Sequence, residues 1–318
     1  MIISASKRTD VPAFYGEWFM NNLRKGSFQV RNPLFPMKIS QIDFQPSDIE
    51  CIVFWTKNPA PFLKYLPEIE ENYKFYFTFS LNDYPITIER RLPSVVERIK
   101  IFKNLATRIG KEKVIWRYDP ILFTEELGVE FHLNSFENLA KQLSGFTEKC
   151  VISVADHYVR NEKNLKSIQW RNAAEDEISH LIKNMLIIAE NYNIKLQSCA
   201  EDGLSKYGVT SGKCIDDELI GKLIGSKIKV PSSKERPGCH CAQSVDIGVY
   251  NTCLHDCVYC YANYSFESVK KNYAQHNKES LMMIGSANEE DNISMKKVPH
   301  HKKVNHQSSI FDASSDDN

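Results

Sequence analysis

Cys253, Cys257 and Cys260 are spaced C-x3-C-x2-C, with Tyr259 before the last of them and Tyr261-Ala262-Asn263 after it. Three thiolates on so short a loop can hold three corners of a four-iron, four-sulfur cluster, leaving the fourth iron open to a small molecule. A structural zinc site wants four closed ligands instead. The spacing points to redox or radical chemistry, and zinc is also compatible with it.

A second group, Cys199, Cys214, Cys239 and Cys241, precedes that loop. Four thiolates could close an auxiliary iron–sulfur cluster or a structural zinc, or some could be plain buried thiols. Cys51 and Cys150 each open an apolar run and are expected to be core thiols. The chain opens on Met1-Ile2-Ile3-Ser4, without the basic-then-apolar pattern of a secretory leader. Nine cysteines in such a chain argue for metal or catalysis rather than disulfides. No stretch reaches transmembrane length, so the expected location is the cytoplasm, without a membrane partner. Forty basic and forty acidic residues cancel to zero net charge, which gives no support for bulk electrostatic binding to nucleic acid.

The elements that must position these residues alternate. Apolar or β-branched runs at Ile2–Ser6, Cys51–Trp55, Phe75–Ser80, Val114–Tyr118, Cys150–Val154, Lys195–Ser198 and Val245–Tyr250 read as buried parallel strands. Helical periodicity lies between them, at Ala13–Lys25 before Gly26, Val95–Ile109 before Gly110, Ser135–Leu143, Ala173–Asn191 and Asp216–Ile228. About seven such units predict an α/β fold with helices outside a parallel sheet: a (β/α) barrel, closed or partial. The barrel is expected over residues 1–285, with the cysteine-rich segment at 199–260 and a disordered polar tail at 286–318.

Barrel chemistry sits at the C-terminal ends of the strands. Those ends carry Ser6-Lys7-Arg8-Thr9-Asp10, Trp55-Thr56-Lys57, Ser80-Leu81-Asn82-Asp83, Arg117-Tyr118-Asp119-Pro120, Asp156-His157-Tyr158 and Ser198-Cys199-Ala200-Glu201-Asp202. Strand ends are polar in any α/β protein, so single residues say little. As a set, Arg8, Lys57 and Arg117 could hold a carboxylate or phosphate.

The cysteine loop, with its aromatic before the last Cys, resembles the signature of radical S-adenosylmethionine enzymes. In that superfamily the loop follows the first barrel strand; here it follows the last, which implies a circular permutation. Thr9-Asp10-Val11-Pro12, Phe54-Trp55-Thr56-Lys57 and Arg117-Tyr118-Asp119-Pro120-Ile121 are similar, in order, to short segments of spore photoproduct lyase-like radical enzymes. The chain up to Gly285 also resembles a bacterial family of unknown function that carries this C-terminal cysteine cluster.

The resemblance implies a four-iron cluster on Cys253, Cys257 and Cys260, with S-adenosylmethionine on its open iron. It places Ser6, Thr9 and Asp10 at the cofactor. Arg8 on the same strand end is expected to join them, and Lys57, Arg117 and Asp119 are the residues expected at the chemistry. An auxiliary iron–sulfur cluster is preferred to zinc on Cys199, Cys214, Cys239 and Cys241, because the neighbouring loop already looks like an iron–sulfur site. An electron donor such as flavodoxin or ferredoxin is implied; the substrate is unknown, and nucleic acid enters only by analogy. The alternative expectation is a zinc- or iron–sulfur-stabilised binding or electron-transfer protein.

Overall fold

Every one of the seven apolar runs becomes a strand of one sheet. These are β1 (Ile2–Ala5), β2 (Cys51–Thr56), β3 (Phe75–Ser80), β4 (Val114–Ile121), β5 (Lys149–Val154), β6 (Lys195–Ser198) and β8 (Val245–Asp246). A two-residue strand, β7 (Thr210–Ser211), was not expected. The computed structural model describes residues 1–155, 162–233, 238–297 and 301–304. Within them the strand order is β8-β1-β2-β3-β4-β5-β6-β7, with every neighbour parallel.

The last strand therefore lies beside the first, with Ile3 opposite Val245 and Ser4 opposite Asp246. Among the described residues no ladder joins β7 to β8, so of the expected closed or partial barrel the partial form fits and no closure is seen. Both edge strands are two residues long. The run Val245–Tyr250 leaves the sheet early because Asp246 turns its carboxylate back on the chain. That carboxylate accepts bonds from Ser4 Oγ (3.0 Å), Ser6 Oγ (2.6 Å), Lys7 N (2.9 Å) and Gly248 N (3.0 Å).

Side-chain alternation gives the sheet two unlike faces. On one, Ile3, Ile52, Phe54, Phe77, Trp116 and Ile152 pack against helices at Gly16–Lys25, Val95–Ile109, Val129–Leu143 and Glu175–Asn191. On the other, Ile2, Cys51, Val53, Tyr76, Ile115 and Val151 meet Cys199, Cys214, Ile215, Leu219, Ile220, Ile228, Cys241 and Ala242. The cysteine-bearing segment thus lies across the second face. The helix Asp217–Ile224 is capped by Asp216, whose carboxylate is 2.6 Å from Lys149 Nζ. Burial on both faces is why the strands read as continuous apolar runs.

Helix boundaries follow local chemistry. Ser94 and Glu97 form a reciprocal cap on Val95–Ile109. Gly26 ends Gly16–Lys25 at φ 69°, where a Cβ would lie 2.7 Å from Phe44 O. The expected helix Ala13–Lys25 is instead two, Val11–Phe14 and Gly16–Lys25, broken at Tyr15. Part of the expected loose tail is built into the molecule. Asn292–Met295 adds a parallel strand to the hairpin strand Lys38–Asp43, and Arg31 pairs with Asp291. Lys302–Val304 pairs with Lys227–Lys229. Backbone hydrogen bonding to the hairpin, which composition does not encode, supplies that order. Residues 298–300 and 305–318 of the tail lie outside the described residues. Among the described residues no helix is long and apolar enough to cross a membrane.

Candidate metal centre

The loop from Cys253 to Cys260 leaves the β8 edge and crosses the segment after β3. Tyr15 Oη donates to Thr252 O (2.6 Å), Asn263 Nδ2 to Cys253 O (2.8 Å) and Cys260 N to Cys257 O (3.1 Å). Val258 N reaches Ile88 O (3.0 Å), and Arg91 N reaches His255 O (3.1 Å). Asp256 turns the chain at φ 54°, a conformation that Asp tolerates. All three cysteines are half-buried.

Two buried carboxylates, Glu89 and Asp10, brace this loop. Glu89, 1 % exposed at its side chain, lies 2.9 Å from both Lys57 Nζ and Arg98 Nη1, and accepts from Tyr259 Oη. Burial alone would raise the Glu89 pKa; Lys57, Arg98 and the Tyr259 hydroxyl overcome it, so it lies below the usual carboxylate value. Burial works against the Lys57 ammonium too, and Glu89 and Cys257 reverse it, leaving the pKa raised. His255 Nε2 hydrogen-bonds Asp10 Oδ2 (2.8 Å), and its ring is 4.6 Å from that of Phe14.

Burial pushes all three thiols up. Each of Cys253 and Cys257 is raised further by ionised neighbours in the same trio. Against this, the His255 N–H points at the Cys253 sulfur, and the N–H groups of Ala262 and Asn263 point at Cys260. Lys57 acts on both Cys257 and Cys260. N–H donors and the Lys57 ammonium favour the thiolate forms of these sulfurs, but among the described residues no three His, Cys, Asp or Glu side chains, this trio included, surround a common metal position.

The four residues expected at the cofactor sit on the β1 end beside the loop, and the structure gives each a partner or a vacancy. Ser6 Oγ is bonded to Asp246 and also accepts from Arg8 N (3.0 Å). Arg8 Nη1 donates to Gly248 O (3.2 Å), with its guanidinium carbon 5.1 Å from the centre of the Tyr250 ring. Asp10 is fully engaged: it caps Val11–Phe14 through Ala13 N (2.9 Å) and accepts from Lys57 N (2.7 Å) and His255. Its place is therefore that of a brace joining β1, β2 and the loop. Thr9 Oγ1 and His255 Nδ1 are buried polar atoms without hydrogen-bond partners, which a polar ligand here would satisfy. A Cβ at Gly248 would collide with Ser6 Oγ, so close approach of the two chains requires glycine.

Lys57 and Arg117 do not share one cluster. Lys57 faces the three-cysteine loop, whereas Arg117 turns to the second set, donating from Nη1 to Cys214 Sγ (2.6 Å). Arg117 Nη2 also pairs with Asp119 at 2.5 Å, and its guanidinium carbon lies 5.2 Å from the Trp55 ring centre. Burial opposes the Arg117 charge; Asp119, Cys214 and Cys199 outweigh it and raise the pKa well above normal. Ser153 Oγ and Asn82 hold the other side of Asp119. Cys214 Sγ is 3.0 Å from Cys199 Sγ, and Cys214 N is 3.2 Å from Cys241 Sγ.

Sequence reading missed Glu89, Arg98, His255 and Asp246. Asp246 carried a usable signal, a carboxylate inside an apolar run. Glu89 and Arg98 carried none, because Lys57 is 32 residues from Glu89 and the Glu89–Arg98 pair joins a loop to the helix Val95–Ile109 at no helical spacing. The strand end Asp156-His157-Tyr158 lies outside the described residues.

Open parallel sheet and cysteine-rich edge together define an α/β protein with a thiol-lined rim. More particularly, the chain belongs to the family described as Domain of unknown function (DUF1848), whose model matches residues 2–262. No curated protein and no solved structure matches the chain.

Proposed function

We propose that this protein is a radical S-adenosylmethionine enzyme, with a four-iron cluster held by Cys253, Cys257 and Cys260 at the edge where the last strand meets the first. The observation that carries the reading is the trio itself: three half-buried thiols on one loop, with N–H donors and Lys57 directed at the sulfurs. When bound and reduced, the cluster would supply one electron to cleave a carbon–sulfur bond of S-adenosylmethionine and release a 5′-deoxyadenosyl radical.

The chain's own residues do the rest. Glu89, with Lys57, Arg98 and Tyr259, holds the loop against the segment after β3. Asp10 ties the loop to β1 and β2 through His255 and Lys57 N. Thr9 Oγ1 offers an unsatisfied hydroxyl to the cofactor, and Arg8 a cation on the same strand end. Arg117 and Asp119, paired with each other at the end of β4, lie against the second cysteine set and not at the trio.

Electron paramagnetic resonance on anaerobically reconstituted, dithionite-reduced protein tests this reading. The expected result is a cluster signal that changes when S-adenosylmethionine is added. A signal indifferent to the cofactor would make the protein an electron carrier, and retained zinc with no cluster would sink the reading.

A further inference from the structure

The second cysteine set has a geometry that the three-cysteine loop lacks. Cys199 ends β6, Cys214 follows β7, and Cys239 and Cys241 lie on the return toward β8, so three separate stretches deliver four thiols. Cys199, Cys214 and Cys241 belong to the apolar cluster on the second face of the sheet. The sulfurs of Cys199 and Cys214 are 3.0 Å apart, and Cys241 Sγ sits 3.2 Å from Cys214 N. Cys241 is pinned on both sides: Ser233 N donates to its carbonyl (2.7 Å), and Ala242 N donates to Ile215 O (2.9 Å). Cys239, two residues earlier, is half-buried and packs against the same apolar cluster.

We propose that Cys199, Cys214, Cys239 and Cys241 bind a single divalent ion of the zinc class, which latches the segment 199–242 onto the sheet. The spacing chooses between one ion and a cluster. Four thiolates around zinc at about 2.3 Å stand roughly 3.8 Å from one another in a tetrahedron. A four-iron cube assigns each thiolate to a different iron and holds the sulfurs farther apart. Sulfurs already 3.0 Å apart need to spread by less than about 1 Å for the ion.

As arranged, the Cys214 thiol bonds to Cys199 Sγ, and Cys214 N to Cys241 Sγ. Among the described residues no three His, Cys, Asp or Glu side chains already surround a common metal position. Loading turns the sulfurs from each other onto the ion and releases their protons to solvent. A tetrathiolate zinc carries net negative charge, and the Arg117 guanidinium, 2.6 Å from Cys214 Sγ, is placed to offset it. The latch also has a structural task. After Lys227–Lys229 the described chain has no regular element until β8, and this stretch packs on the sheet mainly through Cys241 and Ala242. Long irregular stretches of that kind are commonly stapled.

The inference is independent of the cluster assigned to Cys253–Cys260, and the experiment separates the two. Full-length protein carrying Cys253→Ala, Cys257→Ala and Cys260→Ala is purified anaerobically and its zinc, iron and sulfide measured. The expected result is about one zinc per chain, exchangeable for cobalt(II) with the absorption of a tetrahedral tetrathiolate. Adding Cys241→Ser should lower bound zinc at least fivefold, with circular dichroism recording whether the variant folds. Should it not fold, Cys239→Ser, at the half-exposed ligand, is the companion variant and should lose the tetrathiolate cobalt spectrum. About four irons with sulfide in the triple variant would overturn the proposal in favour of an auxiliary cluster. No retained metal, or an unchanged cobalt spectrum in Cys239→Ser, would overturn it as well.

Discussion

Two sets of cysteines occupy one molecule and are held by opposite means. Cys253, Cys257 and Cys260 share one half-buried loop, fastened by ion pairs and hydrogen bonds through Glu89, Asp10 and Asp246. Cys199, Cys214 and Cys241 are 7 %, 4 % and 4 % exposed, come from distant stretches, and are gathered by apolar packing on the face of the sheet. The polar frame at the sheet edge holds its loop through buried charges that are already paired with one another. An apolar layer with sulfurs in mutual contact closes on itself. The first arrangement depends on charge pairing, and the second on apolar packing.

Variants sharpen the contrast, and the largest effect should fall on the polar frame. Glu89→Gln leaves Lys57 and Arg98 buried without their carboxylate and should cost about 3–5 kcal/mol of unfolding free energy in denaturant titrations. A loss below about 1 kcal/mol would mean that the loop is not held by charge at all.

Acid tests the scaffold beneath both regions. Burial lowers the His132 pKa to about 4 from an ordinary 6.5, and the ring bonds Leu122 O (2.7 Å) and Tyr118 Oη (2.9 Å). The native state refuses the proton that the unfolded chain accepts. Stability is therefore full above pH 6.5 and falls as the pH drops to about 4, by about 3 kcal/mol. His132→Gln should flatten that part of the pH profile; an unchanged slope would place the acid sensitivity elsewhere.

A smaller loss is expected in the apolar layer. Tyr76 Oη donates to Cys214 O (2.8 Å) and accepts from Asp216 N (3.0 Å), so Tyr76→Phe leaves two buried backbone groups unpaired. The expected cost is about 1–2 kcal/mol by thermal or denaturant unfolding. A loss equal to that of Glu89→Gln would break the comparison, because the layer would then depend on polar contacts as much as the rim does. Arg24→Ala is the floor. Its pair with Glu68 is exposed at 49 % and 39 %, and its removal should change stability by less than about 0.5 kcal/mol.

Much of the fold was legible because burial on both faces writes a parallel strand as a short apolar run. Cys51–Thr56 and Phe75–Ser80 match their expected spans within a residue. The edge strands were not legible: Thr210–Ser211 carries no apolar run, and Val245–Tyr250 looks longer than the two residues that pair. The grouping of Cys253, Cys257 and Cys260 on one loop was legible because the three are local in sequence. Asp10 was legible as a rim residue but not as a brace, since its bonds to Ala13 N, Lys57 N and His255 depend on how three segments meet.

Residue spacing and apolar alternation were enough to establish an α/β chain with a parallel sheet and a thiol trio following its last strand. Both are short-range patterns, set by the period of a strand and by the reach of one loop. Folding alone settled that the sheet stays open, that Lys57 serves the trio while Arg117 serves Cys214, and that Cys199 and Cys214 touch. Those outcomes depend on contacts between segments far apart in the chain, whose pairing is chosen by burial and charge balance in three dimensions.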